Sequence, residues 1–157
     1  MKDEIKNTNK MKKFSLVCFI AFALIACKKK NEEPSSGKGL NIEFLSISPS
    51  AVKEHTDSIT ITFSYNDSDG DLGESNPAKT NLFVTDTRNN VEYQYRISPL
   101  APSENNASIR GKLNVVVNNI AITDSSSSQK ISYYLYVKDR SGNISNSITT
   151  SSVLIEK

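Results

Sequence analysis

From Leu40 onward, hydrophobic and polar residues alternate along the chain in short runs. In the clearest run, residues 59–65, every second residue is Ile, Phe or Tyr, and the residues between them are Thr or Ser. Residues 91–97 repeat the pattern with Val, Tyr and Ile. A period of two is typical of a β-strand that buries one face.

Seven runs of this kind are separated by clusters of Gly, Pro, Asn, Asp and Ser, which are turn-forming residues. The other five cover residues 42–47, 82–85, 113–117, 131–137 and 148–155. No segment has a sustained apolar stripe at helical spacing. The pattern predicts an all-β fold over residues 40–157, a single antiparallel β-sandwich of about seven strands. The length of this segment suits one domain rather than two.

One segment carries a resemblance to a known fold family. Residues 133–145 read Tyr-Tyr-Leu-Tyr-Val-Lys-Asp-Arg-Ser-Gly-Asn-Ile-Ser. They resemble the penultimate strand, the following turn and the start of the last strand in immunoglobulin-like and fibronectin-III-like modules of bacterial surface proteins. The resemblance implies an Ig-like sandwich. It departs from antibody domains because this chain contains no tryptophan.

The N-terminal region has a different pattern. Residues 14–26 are mostly apolar and follow two lysines. Because a helix needs about 20 apolar residues to cross a bilayer, this shorter run favours a signal peptide, starting at either Met1 or Met11. It ends in Leu24-Ile25-Ala26-Cys27, which resembles the lipobox of bacterial lipoproteins. The resemblance implies a signal over residues 1–27, cleavage before Cys27 and attachment of lipid to its sulfur.

Residues 28–39 contain no large apolar side chain and predict a flexible linker between the lipid and the domain. The order of lysines followed by acidic residues resembles the export signals of Bacteroidota surface lipoproteins, and a plain solvated linker is the alternative. Together with the lipobox, this resemblance implies a protein held at the outer membrane by lipid, on the periplasmic face or at the cell surface.

Cleavage also changes the charge of the chain. The segment before Cys27 contains five lysines and two acidic residues, so the mature chain keeps 14 basic and 15 acidic residues and a formal charge of −1. We therefore expect no nucleic-acid partner. Both cysteines, Cys18 and Cys27, precede the predicted domain, so no disulfide is expected within it.

An acidic segment follows the clearest strand. Residues 67–74 read Asp-Ser-Asp-Gly-Asp-Leu-Gly-Glu. Carboxylates at alternate positions of a bending chain can converge, and Ca²⁺ takes six to eight such oxygen ligands. The turn containing Asp139 is predicted at the same end of the sandwich, so the candidate calcium ligands are Asp67, Asp69, Asp71 and Asp139. The alternative is a solvated acidic turn, since Asp, Asn, Ser and Gly favour turns.

The acidic segment does not have the pattern of an EF-hand. Counted from Asp67, the sixth position, where that loop has glycine, is Leu72. The twelfth position, where that loop has glutamate, is Ala78. Any calcium site here must therefore use another geometry.

Evidence for catalysis is lacking in the sequence. His55 is the only histidine and lies in a predicted turn. A Ser-His-Asp triad would have to use it, and no Gly-x-Ser-x-Gly turn occurs. The sequence therefore predicts a protein that is not an enzyme.

Tyr134 and Tyr136 alternate with Tyr133 and Leu135 and are predicted on the outer face of their strand. They are a candidate patch for a glycan or a protein, and ordinary packing is the alternative. The sequence as a whole predicts a lipid-anchored, non-catalytic cell-envelope protein that acts as a structural or protein-interaction module. The alternative is a glycan-binding accessory lipoprotein of a polysaccharide uptake system.

Overall fold

The structure, a computed structural model, describes residues 39–100 and 107–157. The predicted signal peptide, the lipid site at Cys27 and the linker as far as Lys38 lie outside the described residues. Within the two described ranges, no helix is long and apolar enough to cross a membrane.

The regular secondary structure of the described part is all β, as predicted. Ten strands form in chain order: β1 (Leu40–Ser48), β2 (Ala51–Lys53), β3 (Ile59–Asp67), β4 (Leu82–Asp86), β5 (Glu92–Tyr95), β6 (Ile109–Val117), β7 (Ser128–Ile131), β8 (Tyr133–Val137), β9 (Ile148–Thr149) and β10 (Val153–Glu156). Each of the seven predicted runs overlaps at least one of them. The count is higher because β2 was not predicted and because the runs 131–137 and 148–155 each contain two strands.

The strands form three hydrogen-bonded sheets, with the orders β1-β3-β6, β2-β10-β7 and β5-β4-β8-β9. The pairs are antiparallel except for β2 and β10, which run parallel. The backbone N–H of Thr150 donates to the carbonyl of Tyr133 at 2.9 Å, between the β8–β9 and β7–β10 ladders. This hydrogen bond lies where the chain passes from β9 of the third sheet to β10 of the second.

The predicted inward faces are correct for β3 and β8, whereas in the run 91–97 Val91 is 45% exposed and only Ile97 is buried. Ile59, Ile61 and Phe63 of β3 are fully buried. Leu135 and Val137 of β8 are fully buried as well. Side chains from all three sheets join one hydrophobic cluster, which gives the domain a sandwich-like arrangement.

Two loops leave this core at the same end. Residues 68–81 follow β3, and residues 138–147 follow β8. Leu82, which opens β4, pairs with Val137 at the end of β8, and the N–H of Lys138 donates to the carbonyl of Asn81 at 2.9 Å. The ends of β3 and β8 therefore place the two loops beside each other.

Candidate metal site at one end of the sandwich

Four carboxylates converge where the two loops meet. Asp67 is the last residue of β3, Asp69 and Asp71 lie in the following loop, and Asp139 lies two residues after β8. One oxygen from each carboxylate lies within 4.8 Å of the corresponding oxygens of the other three. The structure therefore brings together all four of the candidate ligands named from the sequence.

Burial distinguishes this cluster from a solvated turn. Asp67 is 0% exposed and Asp139 is 5% exposed. Carboxylates are rarely buried to this extent unless they are paired or hydrogen-bonded. The interpretation as a solvated acidic turn does not fit these two residues.

Three carboxylate oxygens of the cluster lack a partner. Oδ1 of Asp67, Asp69 and Asp71 are all buried, and none has a hydrogen-bond partner among the described residues. Buried polar atoms of native proteins are nearly always hydrogen-bonded, and each exception needs an explanation such as an ion. A single cation in contact with all three oxygens would supply the missing interaction.

The second oxygens of two of these carboxylates are held by the protein. Oδ2 of Asp67 accepts a hydrogen bond from the N–H of Leu72 at 2.7 Å. Oδ2 of Asp71 accepts from the N–H and the hydroxyl of Ser141, at 2.9 and 2.6 Å. Because these bonds fix each carboxylate through Oδ2, Oδ1 stays free to bind a cation.

Asp139 is held by its own turn. Its Oδ1 accepts from the N–H of Asn143 at 2.7 Å, and its Oδ2 accepts from Nδ2 of the same residue at 2.8 Å. The backbone N–H of Asp139 also donates to the carbonyl of Asn143 at 3.0 Å. A carboxylate oxygen has more than one acceptor site, so either oxygen of Asp139 retains capacity for a metal.

The loop that carries Asp69 and Asp71 bends at two glycines, and Leu72 attaches it to the core. Gly70 and Gly73 have φ angles of 72° and 115°, in the region that favours glycine. Between them, Leu72 is fully buried in the hydrophobic core. This explains why leucine occupies the position of the EF-hand glycine: here the loop is attached to the core at that point.

The electrostatics of the cluster favour a cation. Burial and the neighbouring carboxyl groups of Asp69 and Asp71 together raise the pKa of Asp67 from 3.8 to about 6, although the hydrogen bond from the Leu72 N–H acts in the opposite direction. The raised pKa shows that the protein alone does not compensate the negative charge of Asp67. A divalent cation would do so.

The donor set suits calcium. All four candidate ligands are carboxylates, the hard oxygen donors that Ca²⁺ binds in flexible geometry. Zinc sites in proteins commonly use His and Cys, which the cluster lacks. Mg²⁺ requires near-octahedral geometry at shorter distances and usually keeps several waters, which a cluster with buried inner oxygens does not favour.

The two tyrosines of the candidate binding patch lie on the outer face of β8, as predicted, and both are half-buried. The structure adds Phe83 of β4, which is paired with Tyr136 in the strand register. The rings of Phe83 and Tyr136 stack with centroids 4.7 Å apart and planes 10° apart, so one face of each ring is covered by the other. Tyr134 lies beside them, and its ring centroid is 6.4 Å from that of Tyr136. The sequence pattern did not indicate Phe83, because its contact depends on how β4 pairs with β8.

His55 lies in an exposed turn between β2 and β3, as predicted. Its φ angle is 59°, and its N–H donates to the carbonyl of Ile120 at 2.9 Å. It precedes β3, whereas Asp67 ends that strand, so the length of β3 separates His55 from the carboxylate cluster.

In comparisons with protein-family models, with curated proteins and with solved structures, this chain has no match.

Proposed function

We propose that this protein is a lipid-anchored, non-catalytic component of the cell envelope whose β-sandwich carries a structural calcium ion. The observation that carries the calcium proposal is the set of three buried oxygens without partners, Oδ1 of Asp67, Asp69 and Asp71. Together with Asp139 they make a compact site of four carboxylates. The domain would act as a structural or protein-interaction module at the outer membrane.

The burial of the ligand oxygens supports a structural role for the ion rather than a catalytic one. A catalytic metal keeps a position open to substrate. In this cluster the unpartnered oxygens are buried, so an ion in contact with them would be bound mainly by protein oxygens. Its effect would be on the stability of this end of the domain.

The strand order supports the proposed Ig-like arrangement. Only residues 49–50 separate β1 from β2, Ser132 alone separates β7 from β8, and residues 150–152 separate β9 from β10. If each of these pairs is counted as one interrupted strand, the ten strands become seven, the number in an Ig constant-type sandwich. The β1 part of the first strand then shares one sheet with the second and the fifth.

The calcium proposal is tested by thermal unfolding of the full chain, in chelator and then in millimolar Ca²⁺. A ligand that binds only the native state at about 100 times its Kd stabilises it by about 2.7 kcal/mol, so we expect the melting temperature to rise by several degrees. The double variant Asp69→Asn with Asp71→Asn should lose the rise. Asp124→Asn, which changes an exposed acid outside the cluster, should keep it. An unchanged melting temperature of the native chain in Ca²⁺ would contradict the proposal.

The lipid anchor rests on the lipobox resemblance of residues 24–27 and needs its own experiment. The full chain, expressed in a bacterium with lipoprotein processing, should partition into the detergent phase of a Triton X-114 extract. Cys27→Ser should move to the aqueous phase, because its hydroxyl cannot accept the lipid. The matched control Cys18→Ser should partition like the native chain. Equal partitioning of both variants would contradict lipid attachment at Cys27.

Glycan binding is the second candidate function. It is supported by the aromatic group on the outer sheet face, formed by Phe83, Tyr134 and Tyr136, with the carboxylate of Glu92 3.4 Å from the Tyr136 hydroxyl. Retention of the protein on a polysaccharide affinity gel tests it. Tyr134→Ala and Tyr136→Ala should abolish retention, whereas Leu45→Ala, which removes an exposed apolar side chain from another sheet, should not. Passage of the native chain through gels of varied glycans would count against this function.

A further inference from the structure

We infer that the calcium ion cross-links the sheet β1-β3-β6 to the sheet β5-β4-β8-β9 at the point where β1 begins. The inference rests on the proposed calcium binding and adds what the ion holds together. It concerns three segments: the start of β1, the loop 68–74 and the turn 138–147.

The ligands come from different sheets. Asp67 ends β3, which belongs to the sheet β1-β3-β6, whereas Asp139 follows β8 of the sheet β5-β4-β8-β9. Since calcium–oxygen distances are 2.3–2.6 Å, two oxygens on opposite sides of one ion lie about 5 Å apart. The ligand oxygens of the cluster lie within 4.8 Å of one another, so one ion reaches both strands.

The domain has no covalent link that could do the same. The two cysteines of the chain, Cys18 and Cys27, both precede the residues that the structure describes. A bound metal, like a disulfide, stabilises a fold by joining segments that are distant in the unfolded chain. An ion between Asp67 and Asp139 would join residues on β3 and after β8 in this way.

The start of β1 is hydrogen-bonded to the same loop. Leu40 pairs with Asp67 in the β1–β3 ladder and is fully buried. The N–H and the hydroxyl of Ser68 both donate to the carbonyl of Gly39, at 3.1 and 3.2 Å. Ser68 stands between the candidate ligands Asp67 and Asp69. An ion that fixes these two carboxylates therefore also fixes the residue that holds the first residues of the domain.

The turn after β8 completes the connection. Ser141 donates two hydrogen bonds to Asp71, and the side chain of Asn146 bonds to both backbone groups of Ile42 in β1. The three segments are therefore already in contact through hydrogen bonds, while repulsion among the carboxylates opposes them. Binding of calcium would replace that repulsion with attraction and make the three segments rigid together.

Hydrogen exchange measured by mass spectrometry tests the inference on the full chain, with and without Ca²⁺, while titration calorimetry measures binding independently. We expect calcium to slow exchange by about tenfold or more in peptides from β1 and from residues 138–147. Peptides from residues 118–127, which follow the opposite end of β6, should change much less. Calcium binding with protection confined to residues 68–74 would overturn the cross-link and leave the calcium site intact. Absence of a binding heat, with no change in exchange, would overturn both.

Two variants make the test specific. Asp139→Asn removes the one ligand from the β8 side, so calcium should still protect residues 68–74 but should protect residues 138–147 much less, because only the bonds from Ser141 to Asp71 then connect them to the site. Asp69→Asn, which changes a carboxylate whose Oδ1 has no partner, should weaken protection in all three segments. Asp124→Asn serves as the matched acidic control and should behave like the native chain. Full protection of residues 138–147 in Asp139→Asn would overturn the inference.

Discussion

The side-chain amide of Asn146 forms hydrogen bonds with both backbone groups of Ile42. The N–H of Ile42 donates to Asn146 Oδ1 at 2.8 Å, and Asn146 Nδ2 donates to the Ile42 carbonyl at 2.9 Å. Because Ile42 is 1% exposed, its backbone groups have little access to water at this point. The amide of Asn146 therefore takes the place of a neighbouring strand along part of β1.

Replacement of Asn146 should destabilise the domain through the backbone of Ile42. Asn146→Leu leaves a donor and an acceptor without partners, so we expect the free energy of unfolding to fall by about 1–3 kcal/mol in urea titrations. Asn114→Leu is the matched control, because Asn114 only accepts a hydrogen bond from Thr62 on the exposed sheet face, and we expect a loss of about 0.5 kcal/mol or less. Equal losses in the two variants would contradict the role assigned to Asn146.

A substitution of Phe63 tests the predicted inward face of β3. It is fully buried in the middle of that strand, and Phe63→Ala should lower the free energy of unfolding by about 3–5 kcal/mol because it removes a buried ring and leaves a cavity. Leu45→Ala, at a position of β1 that is 42% exposed, should cost about 0.5 kcal/mol. A loss below about 1 kcal/mol for Phe63→Ala would mean that the ring does not contribute to the core.

Two glycines with positive φ should respond differently to alanine. A Cβ at Gly73 would lie 2.6 Å from the Ser98 carbonyl oxygen and 2.7 Å from Pro99 Cα, whereas the nearest atom to a Cβ at Gly142 is Lys138 Cε at 3.9 Å. Both substitutions force alanine into the left-handed region, at a cost of about 1–2 kcal/mol. Only Gly73→Ala adds overpacking, about 1–3 kcal/mol more. Urea unfolding of both variants measures the difference, and equal stabilities would show that the loop at Gly73 can move away.

The raised pKa of Asp67 predicts how stability depends on pH in chelator. The pKa of the Asp67 carboxyl is 3.8 when it is unperturbed, as in the unfolded chain, and about 6 in the folded chain. The folded state therefore binds this proton more tightly. The stabilisation that this proton gives to the folded state is complete below about pH 3.8 and is lost as the pH rises through about 6. We expect the free energy of unfolding to fall across this window by on the order of 1–3 kcal/mol, and not to fall when Ca²⁺ is present.

Two variants check the source of that pH dependence. Asp67→Asn keeps an acceptor for the Leu72 N–H and removes the titrating group, so the fall in chelator should disappear. Asp124→Asn should keep the fall in the free energy of unfolding. Hydrogen bonds from Ser126 lower the pKa of Asp124, so this group changes stability with pH in the opposite direction. A persistent fall in Asp67→Asn would assign the pH dependence to another group.

Much of the strand pattern could be predicted, because the face that a residue presents depends on its immediate neighbours. The alternation around Phe63 and Leu135 identified the buried faces of β3 and β8 without any knowledge of their partners. The interruption at Ser132 could not be predicted in the same way. At Ser132 the chain passes from β7 to β8. Strand β7 pairs with β10, whereas β8 pairs with β4 and β9. Local alternation does not change when a strand changes its partners, so it does not indicate this break.

The candidate site was likewise predicted in part from the sequence and decided in part by the tertiary structure. The spacing of Asp67, Asp69 and Asp71, and the expectation that the turn at Asp139 lies at the same end, were sufficient to name the four carboxylates. Their burial, the three oxygens without partners and the bonds from Ser141 to Asp71 were decided only by the tertiary structure, because Ser141 and Asp71 are 70 positions apart. Local sequence determines which residues can bind a cation, whereas the order and register of distant strands determine whether water or protein surrounds them.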